Sequence, residues 1–203
     1  MKILIAMGHQ TMEGTKNMTK LVVYNSVSLD GYFTEANGDM SWAHKQDPEW
    51  QTYVSENASG GGQLLFGRIT YDLMASFWPT PLAAQSNPVV VERMNSLRKF
   101  VFSTTLDKVS WNNTTLLKGD LTTEVRKLKQ EPGPNMVIMG SGSVVAQLAD
   151  AGLIDEYQIV LNPLVVGNGR TLFEGVKKKL PMKLAKSRAF GNGNIVLFYE
   201  PMA

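Results

Sequence analysis

Short apolar segments that suit β-strands alternate with segments of helical character along most of this chain, and this alternation restricts its fold more than any other feature. The clearest strand is Met136-Val137-Ile138-Met139, a continuous apolar run typical of a strand that is covered on both faces. Further strands are predicted for residues 21–24, 63–66 and 100–102. Strands that alternate with helices favour an α/β fold built on a largely parallel sheet.

Local signals mark where the predicted helices begin and end. Asp47-Pro48-Glu49 has an N-cap residue, a proline at the first helical position and an acidic side chain in the first turn. This helix should end before Gly60-Gly61-Gly62. Further helices are predicted over residues 68–75, 90–97, 121–128 and 143–151, whereas residues 28–41 are polar and predict a long loop.

The pattern changes towards the C-terminus, where strands are predicted at residues 157–161, 182–190 and 195–199 without long helices between them. Gly191-Asn192-Gly193-Asn194 predicts a tight hairpin between the last two. We therefore predict a mixed, mostly parallel sheet with flanking helices and a C-terminal antiparallel hairpin. We interpret residues 1–17 as an N-terminal extension, either a tag or a flexible arm. Residues 18–203 are predicted to form one domain.

Composition excludes several classes of chemistry. The 203 residues include no cysteine, so thiolate nucleophiles, cysteine-bound metals, iron–sulfur clusters and disulfides are excluded. The two histidines, His9 and His44, form no H-E-x-x-H pattern, and we predict no metal site. P-loop and G-x-S-x-G motifs are also missing from the sequence. An enzyme with so few reactive side chains would take its chemistry from an organic cofactor.

The strongest local signal is a glycine-rich turn between a strand and a helix. Gly140-Ser141-Gly142-Ser143 directly follows the strand at residues 136–139 and precedes a predicted helix. Backbone N–H groups at a helix N-terminus, with glycines that permit close approach, form a cradle for phosphate. Val145 stands where a G-x-G-x-x-G motif has its third glycine, so a turn in which glycine supplies only space is the alternative interpretation.

Two other predicted strand ends carry groups suited to phosphate. Gly67, Arg68 and Thr70 follow one strand, and Ser103 and Thr104 follow another. Each group alone is also typical of a helix cap or a surface ion pair. Because ligands bind at the carboxyl ends of the strands of an open α/β sheet, the three strand ends together predict one extended, phosphorylated ligand such as a dinucleotide.

Two carboxylates are candidates for the reacting end of such a ligand. Asp30 lies in the loop after the first strand, where Asp30-Gly31 is also typical of a simple turn. Asp47 is interpreted first as a helix N-cap, and alternatively as a carboxylate that holds an amine-bearing heterocycle. The aromatic side chains that would line this cleft are also of the kind that forms cores: Trp42, Trp50, Phe77 and Trp78.

Taken together, these motifs resemble the dihydrofolate reductase-like fold, and more narrowly the reductase domain of bifunctional riboflavin-biosynthesis deaminase/reductases. The resemblance covers residues 19–201. It rests on the order and spacing of segments that stand here as Ser28-Leu29-Asp30-Gly31, Phe66-Gly67-Arg68-Ile69-Thr70-Tyr71, Gly140-Ser141-Gly142-Ser143, Gly152-Leu153-Ile154-Asp155-Glu156-Tyr157, Pro163 and Gly167-Asn168-Gly169.

The resemblance implies that NADPH is the cofactor. Gly67, Arg68 and Thr70 would then contact the cofactor phosphates, and Ser103 and Thr104 would lie near the adenosine 2′-phosphate. The turn that wraps the pyrophosphate would consist of Gly140, Ser141, Gly142, Ser143 and Val144, with a cis peptide between its first two residues as in related reductases. Asp30 and Asp47 are the candidate catalytic residues.

The same reasoning sets the expected partners. The family commonly forms homodimers, so we expect a homodimer that binds a small-molecule substrate. The formal net charge of +2 does not indicate nucleic acid, and no apolar run approaches the roughly 20 residues that span a bilayer. The apolar stretch at residues 3–7 is too short for a signal peptide, and we expect a cytoplasmic protein.

Two features depart from the riboflavin enzymes. The chain has neither the length nor the cysteines for a zinc deaminase domain, and Phe77-Trp78-Pro79-Thr80 replaces the Arg/Asp-Pro stretch near their phosphorylated substrate. We predict an NADPH-dependent reductase that transfers a hydride to a C=N or C=O of a small heterocycle, pterin-like or ribosylaminouracil-like, with a proton from water or Asp47. The alternatives are a non-catalytic nucleotide-binding or sensor protein of the same fold, and a structural dimerisation domain.

Overall fold

The computed structural model describes residues 18–43, 47–85 and 87–202, so the extension predicted at residues 1–17 lies outside the described residues. The strands are β1 (Leu21–Ser28), β2 (Tyr32–Glu35), β3 (Gln63–Gly67), β4 (Arg98–Phe102), β5 (Thr114–Leu117), β6 (Met136–Met139), β7 (Glu156–Asn162), β8 (Gly169–Thr171), β9 (Met182–Ala189) and β10 (Ile195–Pro201). The helices are α1 (Pro48–Ser59), α2 (Arg68–Phe77), α3 (Pro81–Ala84), α4 (Pro88–Ser96), α5 (Leu121–Gln130) and α6 (Gly142–Asp150). None of the helices in these ranges has the length and apolar character needed to cross a membrane.

Eight of these strands form one sheet in the order β5-β4-β3-β6-β1-β7-β10-β9. β1 pairs in parallel with both β6 and β7, and β3 pairs in parallel with both β4 and β6. β10 runs antiparallel to its neighbours β7 and β9. The predicted mixed, mostly parallel sheet with a C-terminal antiparallel hairpin is therefore confirmed.

The buried apolar residues form clusters on the two faces of this sheet. α5 and α6 pack on one face, called here the α5/α6 face. α1, α2 and α4 pack on the other, called here the α1/α2 face. Because side chains alternate along a strand, β1 presents one set of residues to the α5/α6 face (Leu21, Val23, Asn25, Val27) and the other set to the α1/α2 face (Val22, Tyr24, Ser26, Ser28).

The prediction of an unbroken loop over residues 28–41 is wrong. β2 lies inside this segment and pairs antiparallel with β8 in a separate two-stranded ribbon, and a short 3-10 helix spans Ser41–Ala43. Tyr32 is aligned with Thr171, which is remote in sequence, so no local sequence pattern predicts the pairing. β5 and α3 were also absent from the prediction, because β5 is a short edge strand and α3 a single turn.

A buried lysine joins α4 to the loop before β5. Lys99 of β4 is fully buried, which is unusual for a charged residue. Its Nζ donates hydrogen bonds to the carbonyl oxygens of Asn95 (3.1 Å), Leu97 (2.7 Å) and Asn112 (3.1 Å), and it lies 4.4 Å from the centroid of the Trp111 ring. Burial lowers the pKa of Lys99 to about 8. The three carbonyl oxygens and the ring hold the ammonium group in place.

We expect Lys99→Met to lower the free energy of unfolding by about 2 kcal/mol, because the substitution leaves buried carbonyl oxygens without a donor. Denaturant unfolding at neutral pH measures this change. Lys118→Met is the matched control, since the Lys118 side chain is half exposed and its ion pair with Asp107 is long, at 3.6 Å. A Lys99→Met protein as stable as the control would contradict this account.

Candidate functional site

The turns that follow β3 and β6 are in direct contact at the carboxyl end of the sheet. The Ser141 hydroxyl accepts a hydrogen bond from the backbone N–H of Gly67 (2.7 Å) and donates one to Thr70 Oγ1 (2.8 Å). On the other side of the same turn, the N–H of Gly140 donates to Asn25 Oδ1 of β1 (2.7 Å). One hydroxyl thus joins two strand–helix turns that the sequence predicted separately.

Both residues at the start of this turn have left-handed backbone. The φ angles of Gly140 and Ser141 are +72° and +60°, and the peptide between them is trans, so the expected cis peptide is wrong. A Cβ atom on Gly140 would lie 2.9 Å from Thr70 Cγ2, closer than carbon atoms approach without displacement. Glycine is therefore required here both for its φ angle and for the close contact with Thr70.

The two helices that begin at this contact lack the N-cap side chains that the other helices have. Side-chain oxygens of Asp47, Thr80, Asn87 and Asp120 accept N–H groups at the starts of α1, α3, α4 and α5. The positions before α2 and α6 supply no such bond.

At α6 this leaves amide groups available for a ligand. The N–H groups of Val144 and Val145 donate to the Ser141 carbonyl (2.8 and 3.0 Å), whereas those of Gly142 and Ser143 have no acceptor among the described residues. A helix N-terminus carries partial positive charge, and a left-handed residue followed by a helical one turns successive N–H groups into a concave site for an anion. The geometry therefore suits a phosphate group at the joined turns.

Arg68, Ser103 and Thr104 lie beside this cradle. Gly67 is aligned with Phe102 across the β3–β4 pair, so Arg68 and Ser103 are the next residues on neighbouring strands. Arg68 Nη1 forms an ion pair with Asp72 Oδ2 at 3.3 Å, and both side chains are half exposed. The Ser103 hydroxyl accepts the N–H groups of the turn that follows it, and Thr104 is exposed.

Asp30 holds two loops together. Its carboxylate accepts hydrogen bonds from the Ser28 hydroxyl (2.6 Å) and from the N–H groups of Val166 (3.1 Å) and Gly167 (2.7 Å). The bond from Ser28, with smaller contributions from the two N–H groups, lowers the pKa of Asp30 to about 2. Asp30 is therefore ionised at neutral pH, a state that accepts hydrogen bonds and cannot donate a proton.

Asp47 is the N-cap of α1, as the sequence predicted first. Its Oδ1 accepts the N–H of Trp50 at 2.8 Å. The neighbouring Glu49 bonds to Arg188 (3.1 Å), which lies near the hairpin after β9. Because β10 starts opposite Leu161 near the end of β7, this hairpin lies at the carboxyl edge of the sheet. The start of α1 and the cradle therefore lie at the same edge.

The four aromatic side chains predicted to line a cleft have different surroundings. Trp50 is buried in the core against Tyr53 and Phe190, so it does not line a cleft. Phe77 and Trp78 contact each other edge to face, with ring centroids 5.2 Å apart. Trp42 is half-buried, and its Nε1 is a buried donor without a partner among the described residues.

Asn25 contacts the glycine-rich turn of the candidate site and was not among the residues predicted for it. It is 6% exposed and lies on the α5/α6 face of β1. Its Oδ1 orients Gly140, and its Nδ2 is a buried donor with no partner among the described residues. The signal that was available is an asparagine in the otherwise apolar alternate set Leu21, Val23, Asn25 and Val27, because a buried amide requires a specific hydrogen-bond partner.

Comparison with known proteins identifies the family. A model of the RibD C-terminal domain matches residues 19–196, which is most of the chain. The chain belongs to the RibD C-terminal domain family. This result confirms the resemblance found in the sequence, and the turns described above lie within the matched RibD C-terminal domain.

Solved structures show the same fold. A protein from Shewanella sp. PV-4 assigned to riboflavin biosynthesis superposes with a TM-score of 0.72 and 24% identity, over 91% of this chain and all of that one. The deaminase/5-amino-6-(5-phosphoribosylamino)uracil reductase of Thermotoga maritima gives 0.65 and 16%, over 92% of this chain and 58% of that one. Enterococcus faecalis dihydrofolate reductase in complex with NADP(H) gives 0.61 and 14%, over 91% and 97%. The dihydrofolate reductase-like fold is confirmed.

We expect Gly140→Ala to separate the two turns and to lower stability more than Gly152→Ala does. Both glycines have positive φ, +72° and +64°, but a Cβ at Gly152 meets no atom within 4 Å. The difference in the free energy of unfolding between the two variants therefore reports the contact with Thr70, and we expect it to be about 1–3 kcal/mol. Thermal unfolding measures it, and Thr70→Ser in the Gly140→Ala protein should recover part of the loss. Equal effects of the two alanine substitutions would contradict the close contact.

Asp30→Asn should lower the melting temperature at neutral pH, since an amide cannot replace a carboxylate that accepts three hydrogen bonds. The pKa of Asp30 is about 2 in the folded protein against an ordinary 3.8, so its contribution is present above pH 3.8 and is lost as the pH falls through about 2. The difference in melting temperature between Asp30→Asn and the wild-type protein should therefore become smaller as the pH falls from 3.8 to about 2. Asp107→Asn, at an almost fully exposed side chain, is the control. A constant difference at every pH would refute this assignment.

Proposed function

We propose that this member of the RibD C-terminal domain family is an NADPH-dependent reductase. It would transfer a hydride to a C=N or C=O carbon of a small heterocycle, pterin-like or 5-amino-6-(5-phosphoribosylamino)uracil-like. The observation that carries the proposal is the pair of uncapped helix N-termini, α2 and α6, joined by the Ser141 hydroxyl. Such a pair offers amide donors and dipole charge for a pyrophosphate.

The residues around the joined turns fit a dinucleotide. Gly67, Thr70 and the turn from Gly140 to Val144 would hold the pyrophosphate, with the Gly142 and Ser143 N–H groups as donors. Arg68, Ser103 and Thr104 would bind the adenosine 2′-phosphate, which favours NADPH over NADH. Nδ2 of Asn25, which has no partner among the described residues, belongs to the side chain whose Oδ1 accepts the N–H of Gly140. NADPH, when bound, would supply the hydride.

The other candidate residues would act on the substrate side. Asp47, at the start of α1, would hold an amine-bearing ring or relay a proton from water. Asp30 would be a positioning residue, because its ionised carboxylate holds the loop after β1 against the loop after β7. The protein would thus contribute binding, orientation and proton delivery, and the cofactor the redox chemistry.

Two structurally similar proteins support this proposal. One neighbour in structure is a dihydrofolate reductase solved with NADP(H), and another is a uracil-derivative reductase. Activity is tested by the decrease in absorbance at 340 nm when NADPH is mixed with the protein and a panel of pterins, ribosylaminopyrimidines and aldehydes. Turnover of at least one compound is expected. NADPH binding without any turnover would favour the non-catalytic nucleotide-binding alternative.

Arg68→Ala should weaken NADPH binding roughly 10- to 100-fold and NADH binding much less, because a charge-assisted hydrogen bond to phosphate contributes about 1.5–3 kcal/mol. Fluorescence titration with both nucleotides measures the two dissociation constants. Asp72→Ala is the matched control, since it removes the ion-pair partner and leaves the guanidinium free to bind phosphate. Equal losses for NADPH and NADH would exclude Arg68 from the 2′-phosphate site.

A further inference from the structure

β9 is the terminal strand of the sheet, and most of its surface is open to solvent. It lies at the end of the strand order, so it has a strand neighbour on one side only, and six of its eight residues are exposed. Alternate N–H and C=O groups of such an edge strand point away from the sheet and have no strand partner. The strand is therefore a template on which a further strand can pair.

The chain concentrates positive charge along this edge. Residues 175–199 contain six of the 20 Lys and Arg residues and none of the 18 Asp and Glu residues. Three of the six, at positions 177–179, directly precede β9, and the other three lie within it: Lys183, Lys186 and Arg188. A surface with this composition attracts a partner of negative charge.

The three cations of β9 lie on one face of the sheet. Lys183, Lys186 and Arg188 are aligned with alternate residues of β10, at positions 200, 198 and 196, because the register shifts by one residue within the pair. Val196 and Phe198 pack in a cluster of the α1/α2 face, so the three cations lie on that face. Neighbouring members of this set, called here the β9 cation row, are about 7 Å apart, which is the spacing of alternate residues on a strand.

Two members of the β9 cation row are free to meet a partner. Lys183 and Lys186 form no ion pair within the part of the chain that the structure describes, although Glu200 is aligned with Lys183. Arg188 is bonded to Glu49, and its side chain is still 33% exposed. The row therefore presents uncompensated positive charge to any strand that pairs with β9.

The opposite face of the same edge carries an exposed apolar side chain. Leu184 is aligned with Tyr199, which packs on the α5/α6 face, and Leu184 is 49% exposed. A phosphate backbone would use the cation row but neither Leu184 nor the free amide groups, whereas an extended peptide uses all three. A second copy of β9 would set the two cation rows against each other, and like charges directly opposite are destabilising. The edge therefore favours a peptide of opposite charge.

We propose that the edge of β9 binds an extended acidic peptide of a partner protein as a ninth strand of the sheet, with carboxylates at alternate positions facing the β9 cation row and an apolar side chain over Leu184. In this mode of recognition, backbone hydrogen bonds to the sheet edge supply affinity and alternate side chains supply specificity. Carboxylates at alternate positions have the same spacing as the row, about 7 Å. Binding at this edge does not depend on the proposed reductase function, because three strands separate β9 from β6 and its glycine-rich turn.

The test is a fluorescence-anisotropy titration with a labelled octapeptide in which glutamate alternates with valine. Wild-type protein should bind it, and Lys186→Glu should weaken binding roughly tenfold, because an attractive cross-strand pair becomes a repulsive one. Lys108→Glu is the matched control, since Lys108 is exposed in the loop before β5, at the other end of the sheet, and its substitution changes the net charge equally. Amide hydrogen exchange of residues 182–189 should become slower in the complex.

Two further peptides distinguish strand pairing from attraction by charge alone. One has the same composition with its glutamates in a single block, and the other is the alternating peptide with every backbone amide N-methylated. Both should bind roughly tenfold more weakly, because neither combines a hydrogen-bonded ladder with matched charges. Affinity of either peptide equal to that of the alternating one would overturn the inference, as would tighter binding of a single-stranded DNA of eight thymidines. Equal affinity of the Lys186→Glu and Lys108→Glu proteins, or failure of the wild-type protein to bind the alternating peptide, would overturn it too.

Discussion

The hydroxyl of Ser141 is the contact on which the candidate site depends. It bonds to the backbone of Gly67 and to the side chain of Thr70, residues more than 70 positions earlier in the chain. The contact forms only because β3 and β6 are neighbours in the sheet and because glycine at positions 67 and 140 lets the two turns approach closely. The positions of α2 and α6 relative to each other follow from it.

This arrangement has a local cost. Two helices begin without a side-chain cap, which costs roughly a few tenths of a kcal/mol where the N-cap is Gly67 and about 1 kcal/mol where it is Ser141. The left-handed conformation of Ser141 costs about 1–2 kcal/mol more. The other helices have side-chain N-caps, and the buried ammonium group of Lys99 is bonded to three carbonyl oxygens. The two uncapped helices and the left-handed serine meet at one contact, and such a cluster of local costs is typical of a functional site.

β1 contributes side chains to both faces of the sheet beside the candidate site. Its neighbouring residues Tyr24 and Asn25 point to opposite faces of the sheet, as alternation along a strand requires. Asn25 orients the turn proposed for the cofactor, while Tyr24 packs on the opposite face against the clusters that contain residues of α1 and α2. Just beyond the end of β1, the Asp30 carboxylate joins this strand to the loop after β7 through the N–H groups of Val166 and Gly167.

The sequence alone determined the elements that have strong local signals. The buried strand at residues 136–139, the start of α1 at Asp47-Pro48 and the glycine-rich turn at Gly140 are all read from adjacent residues, and the order of these motifs indicated the family. Tertiary structure alone decided what depends on distant partners. The β2–β8 ribbon, the hydroxyl bonds of Ser141 and the contact of Asn25 with Gly140 all require segments that meet only in the folded sheet. A local pattern encodes the conformation of a segment, whereas its neighbours are set by packing of the whole chain.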